Sequence, residues 1–209
     1  MALFKNIAKY TKSSEKRLHA MRLALKDLDR KNIIGDVVEC GVWRGGNIIL
    51  TRKFSPTRVC WLYDTFEGMT KPGPHDVKRD GTTAQQMLDR KKIAMSYATL
   101  TEVIKNLQET ETYDITKIRI IQGDVSKTLL FESNLPEKIA LLRLDTDWYE
   151  STKIELEKLW PRIVSGGVMI VDDYGHWRGC KKAVDEYFSY YSRVSFAWID
   201  YTAIKMVKP

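Results

Sequence analysis

Residues 36–53 read DVVECGVWRGGNIILTRK. A short apolar strand at 36–40 runs into a turn spaced G-x-x-x-G-G, from Gly41 to Gly45 and Gly46, and the turn opens into a helix that continues to about residue 53. Glycine lets a chain turn sharply and bring its backbone close to a ligand. A dinucleotide fold asks for G-x-G-x-x-G and a P-loop for GK[ST]. Neither is present, so a phosphate cradle is disfavoured.

Working outward, the alternation repeats. Upstream, residues 13–31 have a helical period, with Leu18, Met21, Leu25 and Leu28 on one face and Ser13 or Ser14 near the cap. Downstream, the spacing predicts strands at 58–63, 117–122, 139–144 and 167–171. Helices are predicted at 96–110, 151–160 and 179–190, a short one at 83–91, and a closing hairpin at 195–198 and 203–207. Strands separated by helices indicate an α/β fold with a doubly wound, mostly parallel sheet. The 209 residues suit one domain. Residues 1–34 form its N-terminal helical extension. Residues 66–95, rich in charge and holding Pro72, Gly73, Pro74 and Gly81, are a candidate mobile lid.

Composition narrows the class. With 44% hydrophobic and 29% charged residues the chain is globular rather than disordered. No apolar run reaches the roughly 18 residues of a membrane span, and residues 1–10 lack the apolar core of a signal peptide. A soluble, cytoplasmic protein with no membrane partner is expected. Cys40, Cys60 and Cys180 make an odd count with no CxxC, so buried free thiols are expected and zinc is disfavoured. The net charge of +7 is densest at Lys5, Lys9, Lys12, Lys16 and Arg17. These fit the wet face of the first helix better than a polyanion patch.

In doubly wound sheets, ligands bind beyond the carboxyl ends of the strands. Glu39, Asp64, Asp124, Asp145, Asp147, Asp172 and Asp173 all fall at such ends. Glu39, one step before the first glycine, suits an ammonium group. Asp64 suits the hydroxyls of a ribose, and Asp124 an adenine amino group. Gly41, Val42, Arg44, Gly45 and Gly46 of the turn join Thr65, Phe66, Gly123, Val125 and Asp145 around the same edge. Together they describe a pocket for a nucleoside with an amino-acid tail, the shape of S-adenosylmethionine. The plainer alternative is that the glycines only serve the turn and the acids are solvated.

A second constellation is LRLDTDWYEST, residues 142–152, with VMIVDDYGH, residues 168–176. Paired strands lie about 4.8 Å apart, so their ends can gather three carboxylates. Like charges raise one another's pKa, and a hard divalent cation relieves the strain. Asp145, Asp172 and Asp173 are therefore candidate ligands for Mg²⁺, or another such ion as Mn²⁺. Such an ion would activate a hydroxyl, and Asp147 would stay free to take its proton. Helix capping by Asp145 or Asp147 beside a solvated Asp172–Asp173 pair is the alternative. His176 is a second base, a substrate contact or a turn residue. His75 lies in the lid, and His19 on a surface.

The stretches VVECGVWRGGN, YDTFEGM and LRLDTDWYESTKIELEKLWPRIVSGGVMIVDDYGHWRGCKKAVDEYF closely resemble the TylF/MycF-type (macrocin) O-methyltransferases, over roughly residues 35–188. The resemblance implies the seven-stranded class I S-adenosylmethionine-dependent methyltransferase fold, with one antiparallel strand from the terminal hairpin. It implies a Mg²⁺-dependent reaction on a sugar hydroxyl of a natural product. It places the metal on Asp145, Asp172 and Asp173 and the general base on Asp147, and it allows a homodimer. The chain departs from the family at Thr146, where glycine is expected, and at Trp148, which would stack on an acceptor or pack. Only 35 residues precede the first strand, where family members commonly carry more helix. A catechol-like or polysaccharide acceptor would satisfy the same metal geometry. Three other readings compete. One is a nucleic-acid-binding methyltransferase, which the acidic edge opposes. Another is a nicotinamide oxidoreductase, which the glycine spacing opposes. The third is an inactive methyltransferase fold, which the intact acids oppose.

Overall fold

The strand at the centre of the molecule, β4 (Ile139–Leu144), is buried at all six positions. A strand covered on both faces is expected to be continuously apolar, and only Arg143 breaks the run. The computed structural model describes residues 2–90, 96–191 and 194–209. Around β4 lie β1 (Asp36–Cys40), β2 (Cys60–Asp64), β3 (Ile118–Gln122), β5 (Ile163–Val171), β6 (Ala197–Trp198) and β7 (Ile204–Val207). They form one sheet of order β3-β2-β1-β4-β5-β7-β6. The pairs from β3 through β5 are parallel, and β7 runs against both its neighbours. This is the doubly wound sheet expected, including the antiparallel strand from the hairpin.

Helices cover both faces. On one face α2 (Glu15–Arg30), α3 (Gly46–Phe54) and α5 (Leu100–Glu109) deliver Leu18, Met21, Leu25, Ile48, Ile49, Val103 and Leu107 to the core. On the other, α6 (Val125–Thr128), α7 (Tyr149–Leu159) and α8 (Arg178–Phe188) deliver Val125, Leu156, Leu159, Val184 and Phe188. Ser14 caps α2 by accepting from the Arg17 amide, as its position suggested. β1 and β4 have the expected bounds; β5 begins earlier, at Ile163. Within the expected N-terminal helical extension, the separate bounds of α1 (Ala2–Ile7) and the 3-10 turn Ala8–Tyr10 were not foreseen, nor was the four-residue α6. Their periodic signal is too short to read.

The candidate lid packs against its neighbours in its described part. Residues 91–95 lie outside the described residues, and residues 66–90 contact the start of α7 and the segment before α8. Asp76 is buried. It accepts from the Tyr149 amide at 2.8 Å and the Gly73 amide at 2.6 Å, and so caps α7 from a distance. Trp148 Nε1 donates to the Thr70 carbonyl at 3.0 Å, and Lys78 bridges to Trp177. Thr83 opens α4 (Ala84–Asp89) with a capping box. All three cysteines are buried and unpaired. No helix among the described residues is long and apolar enough to cross a membrane.

Candidate active site

The ladder of the sheet continues one residue beyond its strands. The Gly41 amide donates to the Tyr63 carbonyl at 2.8 Å, the Asp145 amide to Cys40 at 2.9 Å and the Asp172 amide to Leu144 at 2.9 Å. Gly41, Asp145 and Asp172 therefore stand in a row across three neighbouring strands. Gly41 takes φ +84°, and a Cβ there would sit 2.1 Å from the Asp145 carbonyl oxygen. Only glycine fits a positive φ at such a close approach.

Over this edge opens a cavity of about 490 Å³, within the range of small-ligand sites. Gly41, Val42, Asp64, Thr65, Gly123 and Val125 line one side, and Asp145, Asp147, Asp172, Asp173 and His176 the other. The sequence-predicted residues Glu39, Arg44, Gly45, Gly46, Phe66 and Asp124 stand outside its lining. Each also has a place in the fold. Glu39 is fully buried and accepts from Asn47 Nδ2 at 2.9 Å and Arg143 Nη1 at 2.8 Å. Its Oε2 has no hydrogen-bond partner among the described residues, and burial pushes its carboxyl up to about 7. Arg44 pairs with Glu102 and lies over the Trp43 ring. Gly46 admits the N-terminal segment: a Cβ there would meet the Tyr10 carbonyl oxygen at 2.7 Å. Gly45 precedes α3 with φ +86°. Phe66 is core, and Asp124 caps α6 through the Ser126 amide at 2.9 Å. Asp64 stays at the cavity, where Oδ2 accepts from the amides of Val42 at 2.7 Å and Trp43 at 3.0 Å. Its Oδ1 accepts from Phe66 at 2.9 Å.

Asp145, Asp172 and Asp173 each offer an oxygen within 4.8 Å of the others. Such a cluster needs cations, and the structure supplies two guanidinium groups. Arg143, almost wholly buried, donates to Glu39 and Asp145 at 2.8 Å, to Asp172 at 2.6 Å and to Ser13 at 2.9 Å. Arg17 donates to Asp172, to Asp200 at 2.8 Å and to Thr202. Burial still raises Asp172 against both guanidinium groups, and it raises Asp173 and Asp147, with their acidic neighbours adding to it. Asp173 Oδ2 has no hydrogen-bond partner among the described residues. A buried, unsatisfied carboxylate oxygen beside two more carboxylates is a donor set that fits a hard divalent ion.

Asp147 takes a left-handed φ of +69°, uncommon outside glycine though tolerated by aspartate. The Trp177 indole donates to its Oδ1 at 3.1 Å. Trp177 packs edge-on against Trp148 at 5.0 Å. Trp148 both lines the cavity and packs, being almost fully buried. Thr146 also lines the cavity, but its hydroxyl reaches α7, donating to Glu155 Oε1 at 2.9 Å and standing 2.9 Å from the Ser151 hydroxyl. His176 lines the cavity half-buried, and burial lowers its pKa. His75 instead packs on Tyr149 at 4.8 Å.

Arg143, Arg17, Trp177 and Glu155 were missed in the sequence. Arg143 carried a signal, as a charge inside an otherwise apolar strand is almost never buried unless paired. The reading of the N-terminal basic stretch as a solvated face is corrected for Arg17, while Lys12 is exposed as expected and also borders the cavity. Arg17 turns inward and Lys12 reaches the cavity, its Nζ donating to Ser96 at 2.7 Å. Lys9 and Lys16 are exposed as expected. Lys5 lies outside the residues whose side chains are described. Arg17 stands four residues before Met21 and eleven before Leu28, on the edge of the apolar stripe, so its period was readable.

Comparison with known proteins identifies the family and agrees with the fold. A family model described as macrocin-O-methyltransferase (TylF) matches residues 6–206. The chain is 35% identical over 182 residues to demethyldecarbamoylnovobiocin O-methyltransferase of Streptomyces niveus, covering 82% of this chain and 65% of that protein. It is 31% identical to mycinamicin III 3''-O-methyltransferase of Micromonospora griseorubida, covering 85% of this chain and 70% of the relative. The chain thus spans just under two thirds of the novobiocin relative's length. Among solved structures, the O-methyltransferase NovP superposes with a TM-score of 0.82 at 32% identity, over 95% of this chain and 82% of that one.

Proposed function

The chain belongs to the macrocin O-methyltransferase (TylF) family, and from that premise we propose that it transfers a methyl group from S-adenosylmethionine to a hydroxyl of a sugar or glycosylated natural product, with a divalent cation, Mg²⁺ or Mn²⁺, in the site. The observation that carries this reading is the triad Asp145, Asp172 and Asp173, its oxygens within 4.8 Å of one another, on the cavity wall that also holds Asp147. The relatives named above act on novobiocin-type and mycinamicin compounds, which supports a glycosylated acceptor.

The residues divide the work. Asp64 holds ribose hydroxyls, and the backbone of Gly41 and Val42 faces the amino-acid end. Gly123 and Val125 flank the base. Glu39 acts from beneath the floor, fixing Arg143 and Asn47. Asp145, Asp172 and Asp173 hold the ion, which when bound supplies Lewis-acid charge at the acceptor hydroxyl. Asp147, its carboxyl raised towards neutrality and oriented by Trp177, accepts the hydroxyl proton. His176, kept neutral by burial, stands as a second acceptor on the same wall. The rest of the rate comes from in-line positioning. Three unpaired thiols support a reducing, cytoplasmic setting.

The test is calorimetric titration with S-adenosylhomocysteine, with and without Mg²⁺, followed by acceptor screening with and without chelator. Micromolar binding and chelator-sensitive methylation of a glycoside are expected. Absence of binding in both conditions would remove the cofactor assignment.

A further inference from the structure

Helix α2 enters the acidic cluster through a single side chain. Arg17 lies in its first turn, and only 14% of its side chain is exposed. Its Nη1 donates to Asp172 Oδ2, its Nε to Asp200 Oδ2 at 2.8 Å, and its Nη2 to Thr202 Oγ1 and, at 3.4 Å, to Asp200 Oδ1. The other oxygen of Asp172 is taken by Arg143 Nη2 at 2.6 Å. Both oxygens of a candidate metal ligand are thus engaged by guanidinium groups. Asp200 is itself fixed from outside the cluster, accepting from the amides of Thr202 at 3.0 Å and Ala203 at 2.9 Å and from the Ser14 hydroxyl at 2.9 Å.

We propose that Arg17 is a positioning residue that latches the metal site: it occupies the Asp172 oxygen that a divalent cation needs, so the cation and the α2 latch compete for Asp172. The inference rests on the metal reading given above. Its physics is charge balance. Without an ion, the acids need cations from the protein, and Arg17 brings one to Asp172 from outside the sheet. With an ion on Asp172, the same guanidinium becomes a like charge beside it. Arg17 then keeps Asp200 and Thr202, which lie away from the triad on the turn before β7. The change reaches the ligand cavity, because Thr11, Ser13 and Arg17 all line it. Loading the ion therefore loosens the N-terminal wall of the cavity. Arg143 cannot serve as the latch, since it is anchored on β4 and bonded to Glu39, Asp145 and Ser13 as well.

The experiment is titration of Mn²⁺ into the protein without cofactor or acceptor, followed by loss of the free-ion electron paramagnetic resonance signal. Wild type is compared with Arg17→Gln, Arg17→Lys and Asp145→Asn. Arg17→Gln is expected to bind about tenfold more tightly. Arg17→Lys should fall between, since lysine keeps the charge and loses the fork. Asp145→Asn should lose binding, which locates the ion. A second measurement needs no variant: Mg²⁺ should speed amide exchange in wild-type peptides covering residues 11–17. Equal or weaker binding by Arg17→Gln, with Asp145→Asn dead, overturns the latch and leaves the metal reading standing. So does protection of residues 11–17 by Mg²⁺. If neither wild type nor Arg17→Gln binds Mn²⁺, or Asp145→Asn binds as wild type does, the metal reading fails and the latch with it.

Discussion

Asp147 sits in a left-handed conformation, at φ +69°, with its carboxylate aimed by an indole. Asparagine adopts that backbone as readily as aspartate, so Asp147→Asn removes the base without straining the turn. The variant is expected to bind S-adenosylhomocysteine and Mg²⁺ as wild type does, while kcat falls by about 10²–10⁴. Single-turnover methylation read beside calorimetry checks this, and full activity would end the base assignment. At this scale the clustering of Asp145, Asp147, Asp172 and Asp173 was legible, because the carboxyl ends of neighbouring parallel strands lie side by side. The partners of those aspartates were less so. Glu39 was read as facing the ligand, yet its position at the sheet's centre sends it under the floor to Arg143. Asp124 was read the same way and caps a helix too short to have left a period.

Helix α7 braces the aspartate turn from behind. Its Glu155 is fully buried and accepts from Thr146, the residue between Asp145 and Asp147. Burial pushes this carboxyl up to about 8, against the opposing hydrogen bonds from Thr146 and Cys40. An unfolded glutamate titrates near about 4.3. The folded state thus binds the proton more tightly, and the stability that Glu155 contributes is complete below its unfolded pKa and lost as pH rises through about 8. Glu155→Gln is neutral at every pH and drops this dependence. Between pH 5 and 8 its stability should fall less steeply than that of wild type, by up to about 1.4 kcal/mol per pH unit, and its Tm curve should be correspondingly flatter. Glu39 titrates in the same window in both proteins and cancels in the comparison. Parallel Tm curves would show that Glu155 stays charged in the fold. The start of α7 was misplaced by two residues in the sequence. Its cap, Asp76, lies 73 residues upstream, and a local reading sees only what lies within a few turns.

At the scale of the whole molecule, the strand–helix alternation and the doubly wound sheet followed from period and punctuation, and the antiparallel strand from the family resemblance, whereas the closure of the cavity followed from neither. That closure is made by residues 11–17 laid across α3, and it depends on Gly46. The sequence reading gave all three glycines of the turn to a ligand, but Gly46 is where the N-terminal segment crosses. A Cβ there would meet Thr11 Cβ at 2.5 Å, the Tyr10 carbonyl oxygen at 2.7 Å and its carbon at 2.8 Å. Backbone atoms cannot swing aside as a flexible side chain would, so the segment itself must move. The test turns on sign. Alanine outranks glycine in a helix by up to about 1 kcal/mol, and Gly46 begins α3 without a positive φ. If the N-terminal segment did not seat there, Gly46→Ala would raise the Tm. Because it does, the substitution is expected to lower the Tm, exposing Ile7 and Tyr10, both now buried, and to weaken S-adenosylhomocysteine binding by about tenfold or more through loss of the Thr11–Ser13 wall. Thermal melting and calorimetry on this one variant read both effects, and a raised Tm with unchanged affinity would show that the wall stands without Gly46.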